Sequence, residues 1–359
     1  MVDSLSLIAA CKSLFIPGFE NVLLDGSGVS VSPLAGGLSN TLSLLSIQDN
    51  SKTKVIARYS AHRELPPGSC LLDQYTLMKS FPVSLDTPQA FGTVDIHGHA
   101  VSFESFIESQ GTLSGASFRS LEFASEIGRA LGRLHCANSI ASFHSPPTLR
   151  SRLEMVTRIA GQDLEVEANA LLVLQEGFEI SDADKLQTAQ IFRSRGCSGD
   201  SLIIHADALA GNFLVHQEHG KPNQLSLLDF EYSISAPLIE AIGYELGNAM
   251  CEYNYEYDVK EPPGYLNESE EYLPPLSWRT ALIEGWASTV GTNANELDVL
   301  KRVAHAASRR GMLQSHLFWA AWSRLLDKRE NARSVFDYGK FSKERLRRFK
   351  EGVQQLIDL

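Results

Sequence analysis

The sequence predicts an α+β protein of two lobes, a small β-rich one followed by a larger, mainly helical one. Three observations lead there. The chain has 359 residues, which at roughly 150 residues per domain is about two units. Its first hundred residues hold short apolar runs separated by polar turns, as strands and hairpins do. Beyond residue 120 the apolar residues recur every three or four positions, the helical period. Strands followed by helices make an α+β layout.

Taken in order, Val29 to Pro33 is a short β-like run that leads into the turn-prone Ala35-Gly36-Gly37. Thr41 to Ile47 and Lys54 to Tyr59 are apolar runs joined by the polar turn Gln48 to Ser51, so they predict a hairpin. Leu71 to Met78 reads as helix, and Ala100 to Ile107 alternates as a strand does. Ser109-Gln110-Gly111 marks the change of period and divides the chain into lobes 1–108 and 109–359. In the second lobe Ala124, Ile127, Leu131 and Leu134 share one helical face, predicting a helix over Leu121 to His135. Ser201 to Ile204, Phe213 to Val215 and Gln224 to Asp229 form a strand-like interruption, read as a small hairpin among helices. Gly311 to Leu326 is the strongest helical stretch near the C-terminus.

Composition narrows the function. Asp and Glu (43) outnumber Lys and Arg (32), a formal charge of −11. That argues against a nucleic acid partner, whose backbone is held by basic residues. The five cysteines are scattered and form no CxxC pair, so free thiols in a reducing compartment are expected. No run approaches the ~18 apolar residues of a membrane helix. The N-terminus carries Asp3 and no basic segment, unlike a signal peptide. A soluble, cytoplasmic protein with no membrane span is the expectation.

The chemistry concentrates in HADALAGN, His205 to Asn212, followed by LLDFEY, Leu227 to Tyr232. Asp and Asn are common loop residues, and any one of them alone carries little. Together they supply what phosphoryl transfer needs. Asp207 can orient a hydroxyl and take its proton, while Asn212 and Asp229 can offer oxygen ligands to Mg²⁺. Protein kinases use the same grammar, His-x-Asp, an Asn five residues after that Asp, and then Asp-Phe-Gly.

These segments, with three others, resemble the choline/ethanolamine kinase family. LLDFEYSISAPLIEAIGYELGNAMCEYNYEY is similar to its Asp-Phe-Glu-Tyr segment, which leads to a Gly-Asn pair and a Cys-Glu-aromatic triplet. SHLFWAAWSRL resembles its Ser-His-Phe-Phe-Trp-x-x-Trp element, and LAGGLSNTLSLL its Gly-Gly-x-Ser-Asn nucleotide loop. The likeness runs from about residue 30 to about 345 and is thin between 137 and 200. It implies a bilobal, protein-kinase-like fold related to aminoglycoside phosphotransferases, ATP and Mg²⁺ as cofactors, and choline or ethanolamine as the phosphorylated partner. It also leaves room for a homodimer.

The resemblance implies roles by position. Asp207 is the catalytic base, and Asn212 and Asp229 hold the metal and complete the catalytic set. Gly36, Gly37, Ser39 and Asn40 cover the ATP phosphates, and Arg58 is a phosphate-binding cation whose partner is Asp73. Glu104 to Ile107 forms the hinge toward adenine. Trp319 and Trp322, three apart on a helix, share a face. A lone WxxW is by default a buried stripe. Within the resemblance it suits an aromatic cage for a quaternary ammonium, which binds by cation–π contact. Tyr232, Glu245, Glu252 and Tyr257 add walls and negative charge to that pocket.

The chain also departs from the family. Ala206 stands where Asn is usual, Glu245 where Asp is, Ser60 where Gly is frequent, and Tyr253 where Trp is common. None deletes a catalytic group. Two alternatives remain: a kinase for another small metabolite such as an aminoglycoside, or a non-catalytic binding protein on a kinase fold.

Overall fold

The computed structural model describes residues 2–23, 25–34, 40–48, 53–60, 71–82, 85–137, 153–154, 158, 180–197, 199–216, 224–257, 259–329 and 335–357. The chain divides into two compact units, Met1–Ser109 with Leu227–Glu231, and Gln110–Ser226 with Tyr232–Leu359. The assignment of Leu227–Glu231 to the first unit is invisible in the sequence pattern.

The first unit opens with helix α1 (Ser4–Ser13), capped by Asp3, whose Oδ1 accepts the Ser6 N–H at 2.9 Å. Leu7, Ile8 and Cys11 of α1 enter the core. Five strands follow, β1 (Val29–Leu34), β2 (Asn40–Ile47), β3 (Lys54–Ser60), β4 (Ala90–Ile96) and β5 (His99–Ser105), with helix α2 (Leu71–Ser80) before β4. They form an antiparallel sheet in the order β1-β2-β3-β5-β4. The predicted hairpin is β2–β3, with Leu45 opposite Val55. Val55, Ala57 and Tyr59 of β3 bury one face with Val101 and Phe103 of β5. Arg58 points to the opposite face by strand alternation, yet it is only 4% exposed. β4 escapes sequence reading because Gly92 and Asp95 dilute its pattern. His97 and Gly98, with φ of 55° and 80°, make the tight turn into β5.

The second unit is mainly helical. In order it holds α3 (Gly115–Phe118), α4 (Leu121–Cys136), α5 (Asp182–Ser194), β6 (Ser201–Ile204), β7 (Phe213–His216), β8 (Gln224–Leu227), β9 (Ile234–Pro237) and α6 (Leu238–Glu252). The short strands β10 (Tyr255–Glu256) and β11 (Leu266–Asn267) precede α7 (Leu276–Val290), α8 (Ala294–Arg329) and α9 (Tyr338–Ile357). The predicted three-run hairpin resolves into two ladders. β7 pairs with β8, while β6 pairs antiparallel with β9, Leu202 opposite Ala236. At four residues β9 is too short to carry a legible alternation.

Helix α6 crosses α8 at backbone contact. A Cβ on Gly311 would lie 1.8 Å from the Gly243 carbonyl oxygen, so only glycine fits there. That closeness brings Asn248 of α6 within 2.9 Å of Ser315 Oγ on α8. Among the described residues no helix is long and apolar enough to cross a membrane.

Candidate active site

In the second unit the chain leaves β6 at Ile204 and turns sharply. Ala206 has φ of 66°, a left-handed conformation that costs an alanine about 1–2 kcal/mol. Asn tolerates that region better than alanine does. The turn is held by α6. Glu245 Oε2 accepts the His205 N–H at 2.5 Å, and Oε1 accepts the Ala206 N–H at 3.3 Å. The Ala208 N–H donates to Asn248 Oδ1 at 2.6 Å. Glu245 is fully buried. Both its oxygens accept from the loop backbone.

The same loop presents Asp207, 7% exposed. Asn212 Nδ2 donates to the Asp207 carbonyl at 2.8 Å and to its Oδ2 at 3.0 Å. The five-residue spacing is thus a closed loop, with one short 3₁₀ turn (Ala210–Asn212) returning the amide to the carboxylate. The amide oxygen of Asn212 is left for another partner.

In the first unit Arg58 bridges two carboxylates. Its Nη1 lies 2.9 Å from Asp229 Oδ2 and its Nη2 lies 3.2 Å from Glu104 Oε1. Burial alone would lower the guanidinium pKa, but Asp229, Glu104 and Glu231 outweigh it and hold Arg58 charged. Asp229 sits at φ of 62°, a region in which aspartate is enriched. Its Oδ1 is buried with no hydrogen-bond donor among the described residues. A carboxylate oxygen in that condition suits a hard cation, which takes oxygen ligands in small number. Glu104 stands inside β5, opposite Ile56 of β3 and Ala90 of β4. Its side chain pairs with Arg58. Ile107 follows the strand, half-buried. The side chain of Asp73, the expected partner of Arg58, lies outside the described residues, as do Gly36, Gly37, Ser39 and the side chain of Asn40.

The aromatic pair lies in a cluster. Trp319 and Trp322 are 6% and 5% exposed, with ring centroids 5.2 Å apart and planes at 75°. Tyr232 stands 5.1 Å from Trp319 and 6.3 Å from Trp322, and Tyr338 stands 5.7 Å from Trp322. Neither indole N–H has a hydrogen-bond partner among the described residues.

Glu252 and Tyr257 meet a cation already in the chain. The Tyr257 hydroxyl donates to Glu252 Oε2 at 2.7 Å, and Arg345 of α9 pairs with Glu252 Oε1. Arg345 Nη2 also donates to the Tyr257 oxygen at 3.1 Å. Its guanidinium carbon lies 4.2 Å from the Tyr255 ring centroid and 4.9 Å from that of Phe341. Arg345, Asn248 and Ser315 escaped the sequence reading. Only the Gly-Asn pair signalled Asn248. An arginine in a charged helix gives no sign that it is buried.

The family model described as choline/ethanolamine kinase matches residues 31–350. A probable ethanolamine kinase of Arabidopsis thaliana is 24% identical over 336 residues, 88% of this chain and 77% of that one. A choline kinase structure from Cryptosporidium parvum superposes with a TM-score of 0.72 at 20% identity, covering 99% of this chain and 97% of that one. A Plasmodium vivax ethanolamine kinase gives 0.62 at 15% identity, covering 96% and 91%. With the family model spanning most of its length, this chain belongs to the choline/ethanolamine kinase family.

Proposed function

We propose that the protein transfers the γ-phosphoryl group of ATP to the hydroxyl of choline, ethanolamine or both. The observation that carries this reading is the Asp207–Asn212 loop, a buried carboxylate held by its own downstream amide. Asp207 orients the substrate hydroxyl and takes its proton as the oxygen attacks the γ-phosphorus. The bond to the β,γ-bridging oxygen breaks and ADP leaves. Asn212 and Asp229 would offer oxygen ligands to Mg²⁺, which would neutralise charge on the phosphates. Arg58 fixes the Asp229 carboxylate so that Oδ1 stays available, and it brings positive charge toward the nucleotide.

The substrate cation rests against Trp319, Trp322 and Tyr232 by cation–π attraction. Glu252 is balanced by Arg345 and adds little net charge there. A wall built mainly of aromatic faces favours a quaternary ammonium, which binds by cation–π attraction and has no hydrogen bonds to satisfy, over a primary one, which has three. This supports choline as the better substrate.

Single-turnover reaction of the pure protein with labelled ATP, Mg²⁺ and a panel of amino alcohols tests the reading. Phosphocholine or phosphoethanolamine is the expected product, with the higher kcat/KM for choline. No phosphorylated amino alcohol from folded protein would overturn it. An aminoglycoside product instead would redirect it to another substrate.

A further inference from the structure

An open cavity rimmed by charged side chains lies in the helical unit, and nothing in the catalytic reading uses it. It has a volume of about 780 Å³ and lies between α7 and α8. Arg279 comes from α7. Asp298, Arg302, His305 and Arg309 come from α8, at spacings of three and four that set them on one helical face, with Lys301 beside them. A charged stripe on a helix is ordinarily a solvated face. Two features separate this one. It is concave, and Arg279, Lys301, His305 and Arg309 are half-buried rather than exposed.

The charges in the cavity are unequal in their pairing. Arg302 is spoken for by Asp184 at 2.7 Å, and Lys301 lies 3.9 Å from both Glu284 and Asp298. Among the described residues the Arg279 side chain meets only a carbonyl, its Nε donating to Pro274 O at 2.9 Å. Arg309 has no hydrogen bond or ion pair among the described residues. Four cationic side chains therefore face one lining carboxylate, and the two guanidiniums without a carboxylate come from different helices. Burial first, and then the charge of Arg309, push the Arg279 pKa down, as expected for neighbouring cations without a counter-ion. His305 is lowered by burial and by Arg279.

Two half-buried guanidiniums in one cavity are the recognition element for phosphate oxygens, which planar forks bind in pairs. In a chain of net charge −11 such a concentration is a local exception. We propose that this cavity is a second binding site, separate from the catalytic residues, for a small anion bearing a phosphate or diphosphate group. Arg279 and Arg309 grip the phosphate, and Lys301 and Arg302 surround the rest.

Calorimetric titration of the full chain with inorganic pyrophosphate tests this. The buffer holds 150 mM salt, and a non-hydrolysable ATP analogue with Mg²⁺ saturates the catalytic site. Binding of one pyrophosphate is expected. It should weaken at least tenfold in Arg309→Gln and in Arg279→Gln, while kcat/KM with ATP and choline at zero pyrophosphate stays within twofold of wild type. Arg309→Lys should bind at intermediate strength. Arg309 makes no hydrogen bond in the structure, so its variant decides the matter if Arg279→Gln fails to fold by circular dichroism. Absence of binding in the wild type overturns the proposal. So does equal binding in Arg309→Gln, which would place pyrophosphate elsewhere. Competition by glycerophosphate but not by phosphatidate vesicles would identify a soluble ligand, and the reverse a lipid headgroup.

Discussion

The backbone N–H of His205 donates to Glu245 Oε2 at 2.5 Å, which ties the loop that carries Asp207 to the middle of helix α6. A carboxylate accepts one backbone donor on each of its oxygens, whereas a carboxamide presents one accepting oxygen and one donating NH₂. Glu245→Gln should leave one loop N–H facing a donor, costing about 1–3 kcal/mol. Loop disorder should lower kcat about 10- to 100-fold, with the KM for ATP little changed. Glu245→Asp keeps the charge and should lose less of both. Steady-state kinetics and thermal melts of the two variants check this.

Ala206 gives the opposite sign from ordinary alanines. Substituting glycine for a buried alanine normally destabilises, as it should at Ala208. At Ala206 the left-handed backbone is relieved, and glycine should be neutral or stabilising by up to about 1 kcal/mol. Chemical denaturation of Ala206→Gly beside Ala208→Gly measures the contrast.

Arg58 and Asp229 should respond to charge and shape differently. Asp229→Asn keeps the size but loses the charge, and turnover should fall at least about a hundredfold. Arg58→Lys keeps the charge but cannot bridge Asp229 and Glu104 with a planar fork. Its kcat/KM should fall about tenfold or more, with folding retained. Mg²⁺ titration should show a weaker apparent affinity in Asp229→Asn.

The Arg345–Glu252 pair should behave as a unit. Arg345→Met leaves Glu252 charged in the interior and should cost about 3–5 kcal/mol. Adding Glu252→Gln should recover part of that loss, a coupling that a double-mutant cycle reads directly.

His316 sets a pH dependence. Arg345 Nη1 lies 3.4 Å from its Nδ1, so Nδ1 accepts and the ring proton sits on Nε2, facing Cys251 Sγ at 3.3 Å. Burial first, and then the neighbouring arginines, hold its pKa well below 6.5. The folded state therefore stays unprotonated while the unfolded chain gains a proton as pH falls through about 6.5. Stability should be full above that value and decline below it by up to about 1.4 kcal/mol per pH unit. Melts from pH 7.5 to 5.5 should show a smaller acid slope in His316→Gln. His305, also lowered, keeps some slope in place.

The β2–β3 hairpin and the helix from Leu121 were legible because alternation and the helical period are local. The Asp207–Asn212 spacing was legible for the same reason, being one loop. Arg58 was visible as a strand arginine, but its partners were not. Glu104 and Asp229 lie 46 and 171 positions away, and no local pattern encodes such a distance. The loop contacts of Glu245 were not legible, because its position in the family motif says nothing of which way a longer side chain turns. Arg345 was missed because its neighbours Glu344, Arg347 and Arg348 make the segment read as solvated surface. Its burial follows from Tyr255, Tyr257 and Phe341 closing around it.

Helix α8 has 36 residues, a rod of about 54 Å. Its first half lines the cationic cavity, and its second half carries Ser315, His316, Trp319 and Trp322. Between them Gly311 fixes the crossing with α6. One residue inserted near the crossing would rotate everything downstream by about 100°. Ser315 would leave Asn248 and both tryptophans would leave Tyr232 in a single event. The residue count between Gly311 and Trp322 is therefore fixed by geometry, whatever side chains the exposed positions of the helix carry.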